Sequence, residues 1–207
     1  MVRVLVVEDS KVARDAILRW LGNAANYEVA AALENAANAV VACMGGHIDL
    51  VLMDVCTADD ESGLAAAARI KEISPGTRVV IMTSMPEHSF VAKARAAHCD
   101  SFWYKEYGET GLLDVIEATM RGEPVWPDET PTVTLGILNS AELTRRELDV
   151  IRLLAQGCTY EEIAADLTVS INTVKYHIKN LLTKTGFRST LQLVVEAVDK
   201  GFVLPKY

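Results

Sequence analysis

Over the first 121 residues two textures alternate at a regular beat, short β-branched apolar runs and alanine-rich stretches with helical spacing. The runs VRVLVVE (2–8), EVAAAL (28–33), IDLVLMD (48–54), RVVIMTS (78–84) and SFWYK (101–105) read as strands. Helical periodicity fills the gaps at 10–22, 35–44, 62–73, 87–97 and 107–121. Few folds accept that order. Parallel strands need crossover connections, and right-handed crossovers set helices on both faces of one sheet. Residues 1–121 are therefore expected to form an α/β domain, a five-stranded parallel sheet that is doubly wound.

Past residue 121 the beat stops. Residues 122–141, GEPVWPDETPTVTLGILNS and the alanine after it, hold three of the six prolines and no basic side chain, and read as a linker. From 142 to 207 four short helical segments follow, each opened by a hydroxyl cap. Thr144 with Glu147 and Thr159 with Glu162 fit the capping box, Ser170 precedes INTVKYHIKNLL, and Ser189 or Thr190 opens LQLVVEAVDK. A small all-α, four-helix domain is expected there. The length of 207 residues suits two domains, since one usually takes ~100 to 150.

Composition removes several classes of function. No apolar run approaches the ~20 residues of a spanning helix, so no membrane partner is expected and the cytoplasm is the expected compartment. Cys43, Cys56, Cys99 and Cys158 lie far apart without zinc-type spacing and read as reduced thiols. No Ser/His/Asp order stands out. The net charge of −8 is uneven: residues 1–121 carry 11 basic and 17 acidic side chains, whereas residues 144–207 carry 9 and 7. An acidic body with a mildly basic tail permits nucleic-acid contact through the tail.

The stretch LVLMDVCTADDESG runs apolar residues straight into Asp54. A charge at the tip of a buried strand must reach water, a cation or a partner. Ligands of open parallel sheets bind beyond the carboxyl ends of the strands, and there lie Glu8 and Asp9, then Asp54, then Thr83 and Ser84, then Lys105. Three carboxylates in one crevice repel by about 3 kcal/mol per pair at ~5 Å and an effective dielectric of ~20, so the cluster calls for a cation. An oxygen-only set of this kind suits Mg²⁺. One carboxylate can then act as a nucleophile toward a phosphoryl donor, with Lys105 and the Thr83 hydroxyl left to meet the added phosphoryl oxygens.

An acidic pair, Asp, Thr and Lys at the ends of the first, third, fourth and fifth strands resembles the receiver domain of two-component response regulators, a flavodoxin-like fold. The resemblance implies that Asp54 accepts a phosphoryl group from a sensor histidine kinase. It also implies that Glu8, Asp9, Asp54 and the backbone carbonyl of Cys56 hold Mg²⁺, and that Thr83, Phe102 and Lys105 sense the product. The loop after Asp54 departs from the family: Thr57 and Ala58 stand where Met-Pro is usual, Ser62 stands at the glycine position, and Gly63 comes one residue late. Lys105 is followed by Glu106 rather than the frequent proline. A Mg²⁺-dependent phosphatase with Asp54 as nucleophile is the enzymatic competitor; it would want an acid at the position of Cys56. The chain is expected not to be an enzyme.

In the tail, Ile171, Val174, Ile178, Leu181 and Leu182 make one apolar stripe that faces a core. Displaced from it lie Asn172, Lys175, Tyr176, Lys179 and Thr183, a face able to enter a major groove. The preceding TYEEIAADL and the turn TVS complete a helix-turn-helix. LTRREL, the G-x-x-x-x-E-I-A at 157–164 and LTVSINTVKYH resemble the LuxR-type DNA-binding domain, and both domains together the NarL/FixJ subclass. By that resemblance Lys175, Tyr176 and Lys179 read bases and backbone, Thr173 and His177 lie near phosphates, and Glu147 ties helices together. The implied partners are double-stranded DNA and a second copy of the chain on DNA, with Leu193 and Ala197 as the expected pairing face. The expected function is transcription regulation switched by phosphorylation of Asp54; the alternative is the same architecture working without phosphate.

Overall fold

The computed structural model describes residues 1–57, 62–105, 111–200 and 202–203. The chain divides into two compact units, Met1–Thr130 and Pro131–Tyr207. The first is built from β1 (Val2–Val7), α1 (Lys11–Gly22), β2 (Tyr27–Leu33), α2 (Ala36–Gly45), β3 (Leu50–Asp54), α3 (Gly63–Ile73), β4 (Arg78–Thr83), α4 (His88–Ala96), β5 (Ser101–Tyr104) and α5 (Leu112–Met120). All five strands are parallel in the order β2-β1-β3-β4-β5. The order reverses between β1 and β3, so the crevice beyond their carboxyl ends is the one place in this sheet where neighbouring loops diverge.

Why β3 runs LVLMD without polar relief is plain from its neighbours. It lies between β1 and β4, every residue of it is buried, and its side chains feed apolar clusters on both faces. Ser10, Asn35 and Ser62 cap α1, α2 and α3 through side-chain oxygens. The helix expected at 107–121 is observed as Leu112–Met120, and residues 106–110, including Glu106, lie outside the described residues.

The second unit holds a hairpin of β6 (Thr134–Leu135) and β7 (Leu138–Asn139), a 3₁₀ turn at Ser140–Glu142, and α6 (Arg145–Ala155), α7 (Tyr160–Asp166), α8 (Ile171–Thr185) and α9 (Thr190–Asp199). Both capping boxes are formed, at Thr144 with Glu147 and at Thr159 with Glu162. The stretch 122–141 read as linker is structured at both ends. Val125 bonds along β5, and Leu135 and Leu138 are buried in the apolar cluster of the second unit. Strands of two residues among prolines carry no period, which is why the hairpin leaves no trace in the pattern. At its turn Gly136 has φ +63°, and a Cβ there would lie 2.0 Å from the Thr185 carbonyl oxygen, so the turn accepts no other residue without moving α8.

Candidate functional site

The acidic crevice sits at the reversal of strand order. Glu8 and Asp9 leave the end of β1, Asp54 ends β3, and one carboxylate oxygen of each lies within 4.8 Å of the others. Glu8 and Asp54 are buried while Asp9 faces solvent. The ammonium of Lys105, just past β5, donates to Asp54 Oδ2 at 2.8 Å and pairs with Glu8 Oε2. Burial pushes the Asp54 carboxyl up to about 7; Lys105 opposes the rise, and Glu8 and Asp9 add to it. Burial would lower Lys105, but the Asp54 and Glu8 charges outweigh it and hold the ammonium above its ordinary value. Three carboxylates against one ammonium leave the crevice short of positive charge, and its donors are hard oxygens. A hard divalent cation fits that deficit.

Thr83 ends β4 next to Met82, the register partner of Asp54, and its buried hydroxyl accepts from the Met85 N–H at 3.0 Å. Phe102 is fully buried in β5, with its ring 4.9 Å from that of Tyr104. The loop after Asp54 closes on itself through an antiparallel bridge between Cys56 and Ser62, while Ala58 and residues 59–61 lie outside the described residues. Thr57 is buried and accepts from the Ala36 N–H at 3.2 Å, pinning the loop to the start of α2. A Cβ on Gly63 would lie 1.7 Å from the Asp54 carbonyl oxygen. The glycine that the close approach requires is therefore residue 63. At Cys56 a half-buried thiol meets Met85 Sδ at 3.4 Å, so no acid stands where a phosphatase of this type would want one.

Arg14 of α1 lies outside the strand-end pattern and still belongs to the crevice. Its guanidinium donates to the backbone carbonyls of Glu8 at 2.7 Å and Asp9 at 3.2 Å, and pairs with Glu34. It holds the acidic pair's backbone in place. An arginine on the first turns of an amphipathic helix ordinarily reads as a solvated face.

In the second unit, Val174, Ile178 and Leu181 of α8 are buried, whereas Ile171 is 36% exposed and drops out of the expected stripe. Asn172, Lys175, Tyr176, Lys179 and Thr183 are all exposed on one side. His177 is half-buried with its ring 5.8 Å from Tyr176, and Thr173 is tied to the cap through Ser170 Oγ at 2.9 Å. The cleft along this side is also lined by Tyr160 and Thr190, the first residues of α7 and α9. Glu147 of α6 accepts from Lys184 of α8 at 2.8 Å and from the Thr144 N–H at 2.9 Å. Leu193 and Ala197, expected to face a second copy, are instead fully buried; Leu191 and Val195 of the same helix are 74% and 56% exposed.

A carboxylate pair, an aspartate, a hydroxyl and a lysine at the switch point of a flavodoxin-like sheet, carried with a capped helix-turn-helix, define a response regulator. The response regulator receiver domain family matches residues 4–117, and the bacterial regulatory proteins of the luxR family match residues 141–197. The chain belongs to the response regulators of the NarL/FixJ type. Its relatives include the response regulator protein VraR of Staphylococcus aureus, 30% identical over 98% of this chain and 99% of that protein. Among solved structures the fold matches RcsB of Salmonella typhimurium, with a TM-score of 0.57 at 18% identity over 96% of this chain and 98% of that one. It also matches ChrA of a heme-sensing two-component system, with a TM-score of 0.52 at 22% identity over 97% and 98%. Among the described residues no helix is long and apolar enough to cross a membrane.

Proposed function

We propose that Asp54 takes a phosphoryl group from a sensor histidine kinase and that this raises the affinity of α8 for specific double-stranded DNA, regulating transcription in the cytoplasm. The observation that supports it is the crevice: a buried nucleophile, two further carboxylates within 4.8 Å, and a lysine already bonded to the nucleophile. Glu8, Asp9, Asp54 and the Cys56 carbonyl would hold Mg²⁺, which when bound supplies the positive charge that keeps Asp54 ionised and screens an incoming phosphoryl group. Lys105 then turns from Asp54 to a phosphoryl oxygen, and Thr83 gives up the Met85 N–H to donate to another. Phe102 moves in answer to Thr83. A doubly charged group held by Lys105 and Thr83 carries enough differential stabilisation, several kcal/mol, to shift a two-state equilibrium from mostly off to mostly on. DNA affinity measured with and without acetyl phosphate and Mg²⁺ tests the switch, and equal affinity in both would remove it.

On DNA, Lys175 and Lys179 meet phosphates or guanine edges, Tyr176 meets a base or sugar, and Thr173 and His177 lie beside the backbone. Lys179→Ala is expected to weaken binding to every sequence and to reduce the slope of log affinity against log salt by about 1. Tyr176→Ala should instead change which sequences are preferred, read by selection from random DNA.

One short recognition helix makes few contacts, so two copies on adjacent half-sites are required for tight binding. The exposed pair Leu191 and Val195, one turn apart on α9, replaces Leu193 and Ala197 as the pairing face. Leu191→Glu combined with Val195→Glu should cost roughly thirtyfold in affinity on a paired site, since two apolar contacts of ~1 kcal/mol are lost. Binding to a single half-site should be unchanged. Equal loss on both probes, in gel retardation, would place the pairing face elsewhere.

A further inference from the structure

The strand β5 is the edge of the first unit's sheet, and an open edge is a row of unpaired backbone groups. The chain itself covers it on leaving α5. The Phe102 N–H donates to the Val125 carbonyl at 2.9 Å, and the Val125 N–H donates to Ser101 Oγ, also at 2.9 Å. Ser101 is in turn fixed by the Thr119 hydroxyl of α5 at 2.7 Å. One residue on, the Trp126 ring lies under the Arg95 guanidinium of α4 at 4.1 Å and packs on the apolar cluster below. At the far end the buried Tyr104 hydroxyl reaches Thr130 Oγ1 at 3.5 Å, the long limit of a hydrogen bond. The second unit begins at the next residue.

Tyr104 is also the residue with both phosphoryl-sensing groups as neighbours. Lys105 follows it in the chain, and Thr83 is its register partner across the sheet. Any shift of Thr83 or Lys105 toward a phosphoryl group bears on Tyr104 from two sides, and its ring is packed against Phe102. We propose that residues 123–130 form a strap whose seating on β5 and α4 reports the state of Asp54, with Tyr104 as the positioning residue and the Arg95–Trp126 pair as the clasp. The proposal rests on the phosphorylation reading above. Phosphorylation unseats the strap, which lengthens the free chain ahead of the second unit and uncovers the edge of β5.

Hydrogen exchange of the full-length protein, with and without acetyl phosphate and Mg²⁺, tests it, with intact mass recording phosphoryl uptake on the same samples. Segments 100–104 and 122–130 are expected to exchange about fivefold faster once Asp54 is phosphorylated, the ratio that loss of one net hydrogen bond gives. Trp126→Ala should produce the faster exchange without a donor while phosphoryl uptake stays intact. Tyr104→Phe, which removes only the hydroxyl, should take up phosphoryl normally and lose most of the donor-induced change. Uptake with unchanged exchange overturns the strap and leaves phosphorylation standing, as does a Tyr104→Phe chain that responds like the parent. Absence of uptake in the parent overturns the phosphorylation reading, and the strap as its reporter falls with it.

Discussion

Incubated with acetyl phosphate and Mg²⁺, the protein should gain one phosphoryl group, and its Asp54→Asn variant none. A carboxamide has the shape of the aspartate but no charge, so it fits the crevice without offering the nucleophile. The loss should be complete rather than partial, because Glu8 is held by Lys105 and by the Ser10 N–H, and Asp9 is solvent-exposed with no fixed direction of attack. The same substitution has a second, opposite effect on the fold. Asp54 sits at about 7 against an ordinary 3.8, so its contribution to stability is greatest below 3.8 and is lost as pH rises through about 7. Removing that buried charge, while Lys105 keeps Glu8 as its partner, should therefore raise the stability of the first unit at pH 8 by roughly 1 to 2 kcal/mol. Added Mg²⁺ should stabilise the parent and not the variant. A variant that binds no phosphoryl and is less stable than the parent would show that Lys105 needs Asp54 more than burial opposes it.

These opposed effects follow from a crevice that could be read largely from the order of residues. Glu8, Asp9, Asp54, Thr83 and Lys105 each end a strand, and strand ends of one parallel sheet meet on one side whatever the details of packing. The elements themselves followed from period: all five strands and all five α-helices of the first unit lie within a few residues of where alternation and helical spacing put them, apart from the α5 start noted above. Both capping boxes were equally legible, because their signal is local. What stayed hidden depends on long-range partners. Thr57 looked like a departure in a loop, yet it is the hydroxyl that receives the first N–H of α2, 21 residues away in sequence. Gly63 looked one residue late, and only the 1.7 Å approach to the Asp54 carbonyl explains why a glycine has to stand there.

The last helix failed for a different reason. In LQLVVEAVD apolar residues cover more than half the circumference, so periodicity alone does not choose the buried side. The choice is made by α6 and β6, which pack against α9 and take Leu193 and Ala197, leaving Leu191 and Val195 outside. Two large apolar side chains left exposed one turn apart, Leu191 and Val195, are the physical reason for proposing that copies pair there.

Glu147→Ala should destabilise the second unit by roughly 2 to 4 kcal/mol. Glu147 is buried, and its carboxylate serves the Thr144 N–H, the Thr144 hydroxyl and the Lys184 ammonium, tying the start of α6 to the end of α8. Truncation removes the capping box and leaves Lys184 facing a partly closed gap. Glu147→Gln keeps an acceptor for the Thr144 N–H and should cost only about 1 kcal/mol, the part owed to charge. Burial alone would raise this carboxyl, but bonds from Lys184 and Thr144 outweigh it and hold it below its ordinary 4.5. A depressed carboxyl stabilises the fold above its unfolded value and loses that contribution as pH falls through its folded value. The gap between the parent and Glu147→Gln should thus be full at pH 6 and close as the pH is lowered below the ordinary 4.5 and through the depressed folded value. Hydrogen exchange of the buried α8 amides around Ile178 and Leu181 measures it within the intact chain. A gap of the same size at pH 3 and pH 6 would assign the loss to packing rather than to the Glu147–Lys184 pair.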